Sequence, residues 1–201
     1  MKNETHKVQL HKVRADNVCV HQKLQATKLP KTSHVIHTLS PVWNERSEIL
    51  ILGTMPSPLS RERGFYYMHS QNRFWRVMSE ITGEVLQYKN CDGDIAIAER
   101  KKLLFAHNIA LWDVLASCDI QGAADASITH FVVNDFSDIL QGARIRKIFC
   151  TGKKAFTLYQ KHCEAQTSLR AEYLPSTSAA NQANWSFAKL VEEYKRLVMG
   201  K

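Results

Sequence analysis

The chain has 201 residues, a formal net charge of +8 and a pI near 9.3, a length that predicts one α/β domain whose core needs no covalent staples. No stretch approaches the length of a membrane span and the polar N-terminal region lacks an apolar leader, so a soluble protein is expected, cytoplasmic and nucleoid-associated if bacterial. Cys19, Cys91, Cys118, Cys150 and Cys163 are scattered without a Cys-x-x-Cys pair, which argues against disulfides, a zinc site or an iron–sulfur cluster, and no cofactor is expected.

Residues 1–40 hold seven Lys/Arg against Glu4 and Asp16, a net +5, so the rest of the chain is only mildly basic. This fits a nucleic-acid partner. Residues 1–33 have no sustained periodicity and read as a basic extension, either a DNA-tethering arm or simply solvated chain. A metal-binding reading is open to their histidines, although the spacings match no ligand pattern. The folded domain is placed at 34–201. Val35 to Trp43 reads as irregular, and Asn44 to Ser47 as a turn into a first strand at Ile49–Leu52. Four consecutive aliphatics bounded by Gly53 and Pro56 point to a short strand buried on both faces.

A loop of hydroxyls and aromatics follows that strand. Asn72 is then placed to cap a helix in which Phe74, Trp75, Met78 and Ile81 recur at helical spacing until Gly83. Residues 94–106 read as a second helix, Ile109–Val114 as a second strand, and 116–130 as a polar loop. Asp135 to Leu140 reads as a short helix capped by Asn134, Lys147–Thr151 as a third strand, 153–163 as a helix, Ala171–Leu174 as a fourth strand, and Trp185 to Met199 as a closing amphipathic helix. Strands alternating with helices imply a parallel sheet covered on both faces, with all strand carboxyl ends on one edge. Ligands bind along such an edge, and the loops 53–72, 113–134 and 175–184 fall there.

Gly53-Thr-Met-Pro-Ser57, followed by Gly-Phe-Tyr-Tyr-Met-His-Ser-Gln-Asn-Arg-Phe-Trp at 64–75, resembles the uracil-DNA glycosylase superfamily. The pattern Gly-[Ser/Thr]-[Phe/Met]-Pro-Ser is closest to its hypoxanthine-DNA glycosylase branch, also called DNA-deoxyinosine glycosylase, which lacks the first-motif Asn; Met55 stands there. Leu174-Pro-Ser-Thr-Ser-Ala-Ala-Asn181 is similar to the family loop that enters the minor groove. The resemblance, over roughly residues 34–200, implies an α/β three-layer αβα sandwich with a central four-stranded parallel sheet. It also implies an enzyme acting on DNA that contains deaminated bases. A monomer is expected, since no interface is signalled.

A base cannot be excised inside a stacked duplex, so such an enzyme needs a pocket for a flipped nucleotide. Phe65, Tyr66 and Tyr67 are the available aromatic platform; by resemblance Tyr67 takes the stacking position, while core filling remains open for one or two of them. Gly53, Thr54, Met55 and His69 are further candidate substrate contacts, with His69 equally readable as a satisfied structural group. Cleavage of the glycosidic bond needs donors aimed at charge growing on the departing base and a positioned water. Met55 can supply neither. Asn72 is therefore the first candidate catalytic residue, with a helix cap as its alternative role, and Asp113 and Asn134 follow it. Ser57, Ser60, Ser176 and Ser178 are placed to grip phosphates, and Ala179 and Asn181 to contact DNA at the tip of the third loop. No Schiff-base lysine in a helix-hairpin-helix is visible, so a monofunctional enzyme releasing hypoxanthine first is expected. A uracil or mismatch-specific glycosylase, a non-catalytic nucleic-acid-binding module and an α/β nucleotide-binding protein are the competing readings, the last weakened by the absence of a Gly-x-Gly-x-x-Gly or P-loop motif.

Overall fold

The computed structural model describes residues 31–199. The central sheet forms from the most continuously aliphatic segments: β2 (Ile49–Gly53), β3 (Ile109–Asp113), β6 (Lys147–Thr151) and β7 (Ala171–Leu174), in the order β3-β2-β6-β7 and all parallel. Every residue of β2 is buried, as expected of a strand with neighbours on both sides and helices on both faces. Alternate side chains of that strand go to opposite cores. Ile49 and Ile51 pack with α2 (Phe74–Thr82), α3 (Asp94–Ala106) and α7 (Phe187–Tyr194), whereas Leu50 and Leu52 pack with α4 (Ser137–Gly142) and α5 (Lys153–His162). Short helices α1 (Pro58–Glu62) and α6 (Glu164–Thr167) complete the set, so the expected αβα sandwich with four parallel strands is present.

A second sheet was not foreseen. β1 (Thr32–Ile36), β4 (Leu115–Gln121) and β5 (Thr129–Val133) form an antiparallel sheet in the order β1-β4-β5, which takes Val35 and Ile36 from the segment expected to be irregular, leaving 37–43 irregular but for a bridge at Val42, and replaces much of the polar loop expected at 116–130. Val35, Leu115, Cys118 and Ile120 from this sheet join the core on the α4/α5 side. Among the described residues the first strand starts at Thr32, two residues before the expected domain start. Val42 makes an isolated antiparallel bridge to Leu111, covering the outer edge of β3.

Helix boundaries follow their end signals with three corrections. Arg73, not Asn72, is the N-cap residue of α2, and Asn72 stands one residue before it with Oδ1 accepting from Phe74 N. Gly83 closes α2 in the left-handed conformation at φ 73°, where glycine avoids a Cβ clash. Asn134 caps nothing: its Nδ2 donates to the carbonyls of Asp113 (2.9 Å) and Leu115 (3.1 Å), on either side of the single residue by which the chain leaves one sheet for the other. The start of α4 is served instead by Asp135, whose Oδ1 accepts from Ser137 N at 2.9 Å. The closing helix begins at Phe187, capped by Ser186, and gives way to a 3₁₀ turn at Lys195–Leu197 rather than running to Met199.

Candidate active site

Parallel pairing in register brings Gly53, Asp113, Thr151 and Leu174 to one edge of the central sheet. Beyond that edge lies a cleft of about 870 Å³ lined by residues of all three expected loops, with Thr151 to Lys153 between them. Of the residues singled out from sequence, Gly53, Thr54, Met55, Ser57, Ser60, Tyr67, Asn72, Asp113, Ser176, Ser178 and Asn181 line it. Asn134, His69 and Ala179 do not. His69 is exposed and its Nδ1 accepts from Gln71 N (3.2 Å), so it serves its own turn; Asn134 is a buried backbone staple.

The aromatic triplet divides. Phe65 is buried and stacks on Trp75, with ring centroids 5.8 Å apart, and the Tyr66 hydroxyl donates into the core to the Leu39 and Ser40 carbonyls. Tyr66 and Tyr67 both line the cleft, but Tyr66 is 2% exposed with its hydroxyl turned inward, and Tyr67 is the more open of the two. One face lies on Phe74 (centroids 4.0 Å apart, 14° between planes), and its hydroxyl is paired with Thr151 Oγ1 at 2.9 Å. Its backbone sits at φ 56°, a left-handed conformation that a tyrosine adopts only under surrounding constraint. Burial, then the nearby Asp113 carboxyl, pushes the Tyr67 hydroxyl far above the ordinary phenol range, so it remains protonated.

Asp113 ends β3 with its side chain 5% exposed, and Oδ2 accepts a hydrogen bond from Nε2 of the equally buried His37 at 3.0 Å. Its other oxygen explains the glycine opposite. A Cβ on Gly53 would lie 2.2 Å from Asp113 Oδ1 and 3.0 Å from the Tyr67 hydroxyl, so only glycine lets carboxyl and ring close over the strand end. Thr54 Oγ1 donates to Asp125 Oδ2 at 2.8 Å, placing a second carboxyl on the same wall. Burial raises the Asp125 pKa, and Asp113 raises it further against the opposing effect of the Thr54 hydrogen bond.

Asn72 Oδ1 accepts from Phe74 N (2.9 Å) and from Thr177 Oγ1 (2.8 Å), which fixes the orientation of the amide. Its Nδ2 makes no hydrogen bond among the described residues, and the side chain lines the cleft. Next along the chain, Arg73 is buried and grips the third loop: its guanidinium donates to the carbonyls of Thr177 (3.3 Å), Ser178 (3.0 Å) and Trp185, and its backbone N–H donates to Thr177 O (3.1 Å). Desolvation lowers the Arg73 pKa from its usual value, the direction in which burial moves any cation.

The serines differ in what they can offer. Ser57 caps α1, and Ser60, 2% exposed, accepts from Ser57 Oγ (3.0 Å) and Met68 N (3.2 Å), so its hydroxyl organises the loop. Ser176 and Ser178 each accept a backbone N–H two residues on, and Asn181 Nδ2 returns to Ser176 O at 2.9 Å, making a compact tip. Sequence reasoning missed Arg73, Thr177, Asp125 and His37. The first two sit inside quoted motifs and could have been examined as loop anchors, whereas the Thr54–Asp125 and His37–Asp113 pairs join positions 71 and 76 residues apart and had no local signal.

The chain is thus an α/β protein whose parallel sheet, at its carboxyl edge, gathers a glycine-opened strand end, an aromatic ring, an oriented amide and two carboxyls in one cleft. The profile of the uracil DNA glycosylase superfamily matches residues 40–198, and the chain belongs to that superfamily. It is 34% identical over 142 residues to a Methanosarcina acetivorans protein named hypoxanthine DNA glycosylase, covering 70% of this chain and 85% of that one. A Methanosarcina barkeri protein of the same name is 33% identical over 159 residues, covering 78% and 96% respectively. A solution NMR structure from M. acetivorans, provisionally described as a uracil DNA glycosylase, superposes with a TM-score of 0.64 at 31% identity, over 80% of this chain and 97% of that one.

Proposed function

We propose that this protein, a DNA glycosylase by family, is monofunctional, flips deaminated bases out of DNA and excises them, hypoxanthine first, leaving an abasic site for base excision repair. The observation that carries the reading is the conjunction of a Tyr67 ring braced on Phe74 with the Asn72 amide and the Asp113 carboxyl in one cleft. A flipped base enters this cleft of about 870 Å³ and stacks on Tyr67. Asn72 Nδ2 donates to charge developing on the base or to the attacking water, and Oδ1, already committed to Phe74 and Thr177, holds that donor rigid. Asp113, oriented by His37, faces the positive charge that grows on the sugar. Ser57, Ser176 and Ser178 with Lys153 grip the flanking phosphates, and the 179–181 turn enters the duplex beside the vacated base.

Duplexes carrying inosine, uracil or xanthosine, incubated with the protein and then treated with alkali, test the reading. Breaks at inosine faster than at uracil are expected, with no protein–DNA adduct trapped by borohydride. Preferential cleavage at uracil would instead favour the uracil or mismatch-specific alternative, and absence of breaks at all three would favour a non-catalytic binding module.

A further inference from the structure

Asp125 had no role in the reading above, yet it occupies the cleft wall in a restrained position. It lies on the 3₁₀ turn Asp125–Ser127 that follows β4, and its Oδ2 is held by the hydroxyl of Thr54, itself 5% exposed, at the end of β2. Oδ1 has no hydrogen-bond partner among the described residues, and the side chain lines the space where a base stacked on Tyr67 lies. The groups facing it are Thr54 from just past β2, Asp113 from β3, Cys118 from β4, Tyr67 from the first loop and Lys154 from α5, whose ammonium is turned to the Ile128 carbonyl at 3.4 Å. Two carboxyls thus share one wall: Asp113 is hydrogen-bonded to His37 and Asp125 to the Thr54 hydroxyl. Burial and the Asp113 carboxyl raise the Asp125 pKa, against the opposing pull of the Thr54 hydrogen bond and the Lys154 charge.

We propose that Asp125 is the general acid that protonates N7 of a departing 6-oxopurine. This rests on the hypoxanthine reading and assigns that substrate class a reason in the protein. As the C1′–N9 bond breaks, its electron pair stays on the purine while the Oδ1 proton passes to N7, so hypoxanthine leaves neutral instead of as an anion. Water then forms the new C1′–O bond and releases a proton, and Asp125 is reprotonated from solvent. A pyrimidine has no N7, so the same carboxyl gives uracil no such assistance. Burial first, and then Asp113, raise the Asp125 pKa above the ordinary carboxyl value, the direction that favours the acid form the step needs.

The test is single-turnover release of hypoxanthine by the full-length protein across pH, with 2′-deoxyinosine and 7-deaza-2′-deoxyinosine duplexes. Asp125→Asn retains an oxygen that can accept the Thr54 hydrogen bond and removes the acid. It should lower the rate on inosine by about 10²-fold and abolish the fall in rate that the wild type shows as pH rises through the Asp125 pKa. The wild type should be slowed to a similar extent on the 7-deaza substrate, where Asp125→Asn should add no further loss; this arm needs no variant to fold. Asp125→Asn within fivefold of wild type on inosine, a slower variant with an unchanged pH profile, or a 7-deaza substrate cut as fast as inosine by the wild type would each overturn the assignment. Wild type that cuts inosine in any of these cases leaves the glycosylase reading standing, and wild type that releases no hypoxanthine overturns both.

Discussion

The carboxamide of Asn72 divides its two atoms between tasks, Oδ1 accepting from Phe74 N and Thr177 Oγ1 while Nδ2 is left for the cleft, so substitution can remove one task and spare the other. Asn72→Asp keeps the accepting oxygen and loses the donor. Because losing one preorganised group that acts on transition-state charge typically costs about 10²–10³ in rate, Asn72→Asp should depress single-turnover hypoxanthine release by that factor with a melting temperature close to wild type. A variant that melts normally and excises normally would reduce Asn72 to a cap. Thr177→Val removes the hydroxyl that holds Oδ1 from across the cleft but leaves Nδ2 intact. It should cost about 1 kcal/mol of stability and a smaller, measurable loss of rate; unchanged single-turnover kinetics would mean that the amide needs no such brace.

The start of α2 and the 175–186 loop behave as one element because a single buried guanidinium spans three carbonyls. Lysine keeps the charge but not the planar fork, so Arg73→Lys should destabilise the protein by about 1.5–3 kcal/mol, the range for hydrogen bonds to charged groups. Amide hydrogen exchange in residues 176–186 should accelerate and duplex affinity should weaken; a loop that exchanges at the wild-type rate would show that its anchor lies elsewhere. The four parallel strands were legible because runs such as Ile49–Leu52 can only be buried on both sides. β4 was not, because the bulges between Leu115, Ser117 and Asp119 interrupt strict alternation and its outward positions are polar, so it reads as loop. The helix from Phe74 and its stop at Gly83 were legible from local chemistry, whereas the Asn134 staple was not: a residue well suited to a cap satisfied backbone carbonyls about 20 residues upstream instead. Within the site, position in the sequence selected Tyr67 only by resemblance; that Tyr66 turns into the core depends on the Leu39 and Ser40 carbonyls, 27 and 26 residues away.

Across the whole molecule, positive charge and the cleft are separated along the chain. Residues 1–30, which lie outside the described residues, carry six Lys/Arg against two acidic residues. Removing them should lower the slope of log affinity for duplex against log salt, since that slope counts phosphates neutralised, and should leave single-turnover excision at saturating enzyme intact. A truncated protein that folds but has no such activity would place part of the active site in that segment. Cutting through Ser33 should also cost stability, because Thr32 and Ser33 pair with Gln121 and Ile120 in the small sheet, from which the chain runs on to His37 behind Asp113. The hydrogen bond between Thr177 and Asn72 joins positions 105 residues apart. On the proposed function, the loop that would enter the duplex and the amide that would act on the base share that one bond, so a loop held out of register by an intact base pair should withdraw support from the amide. Recognition and reaction would then work as a coincidence detector, with an undamaged base spared while the catalyst is unassembled.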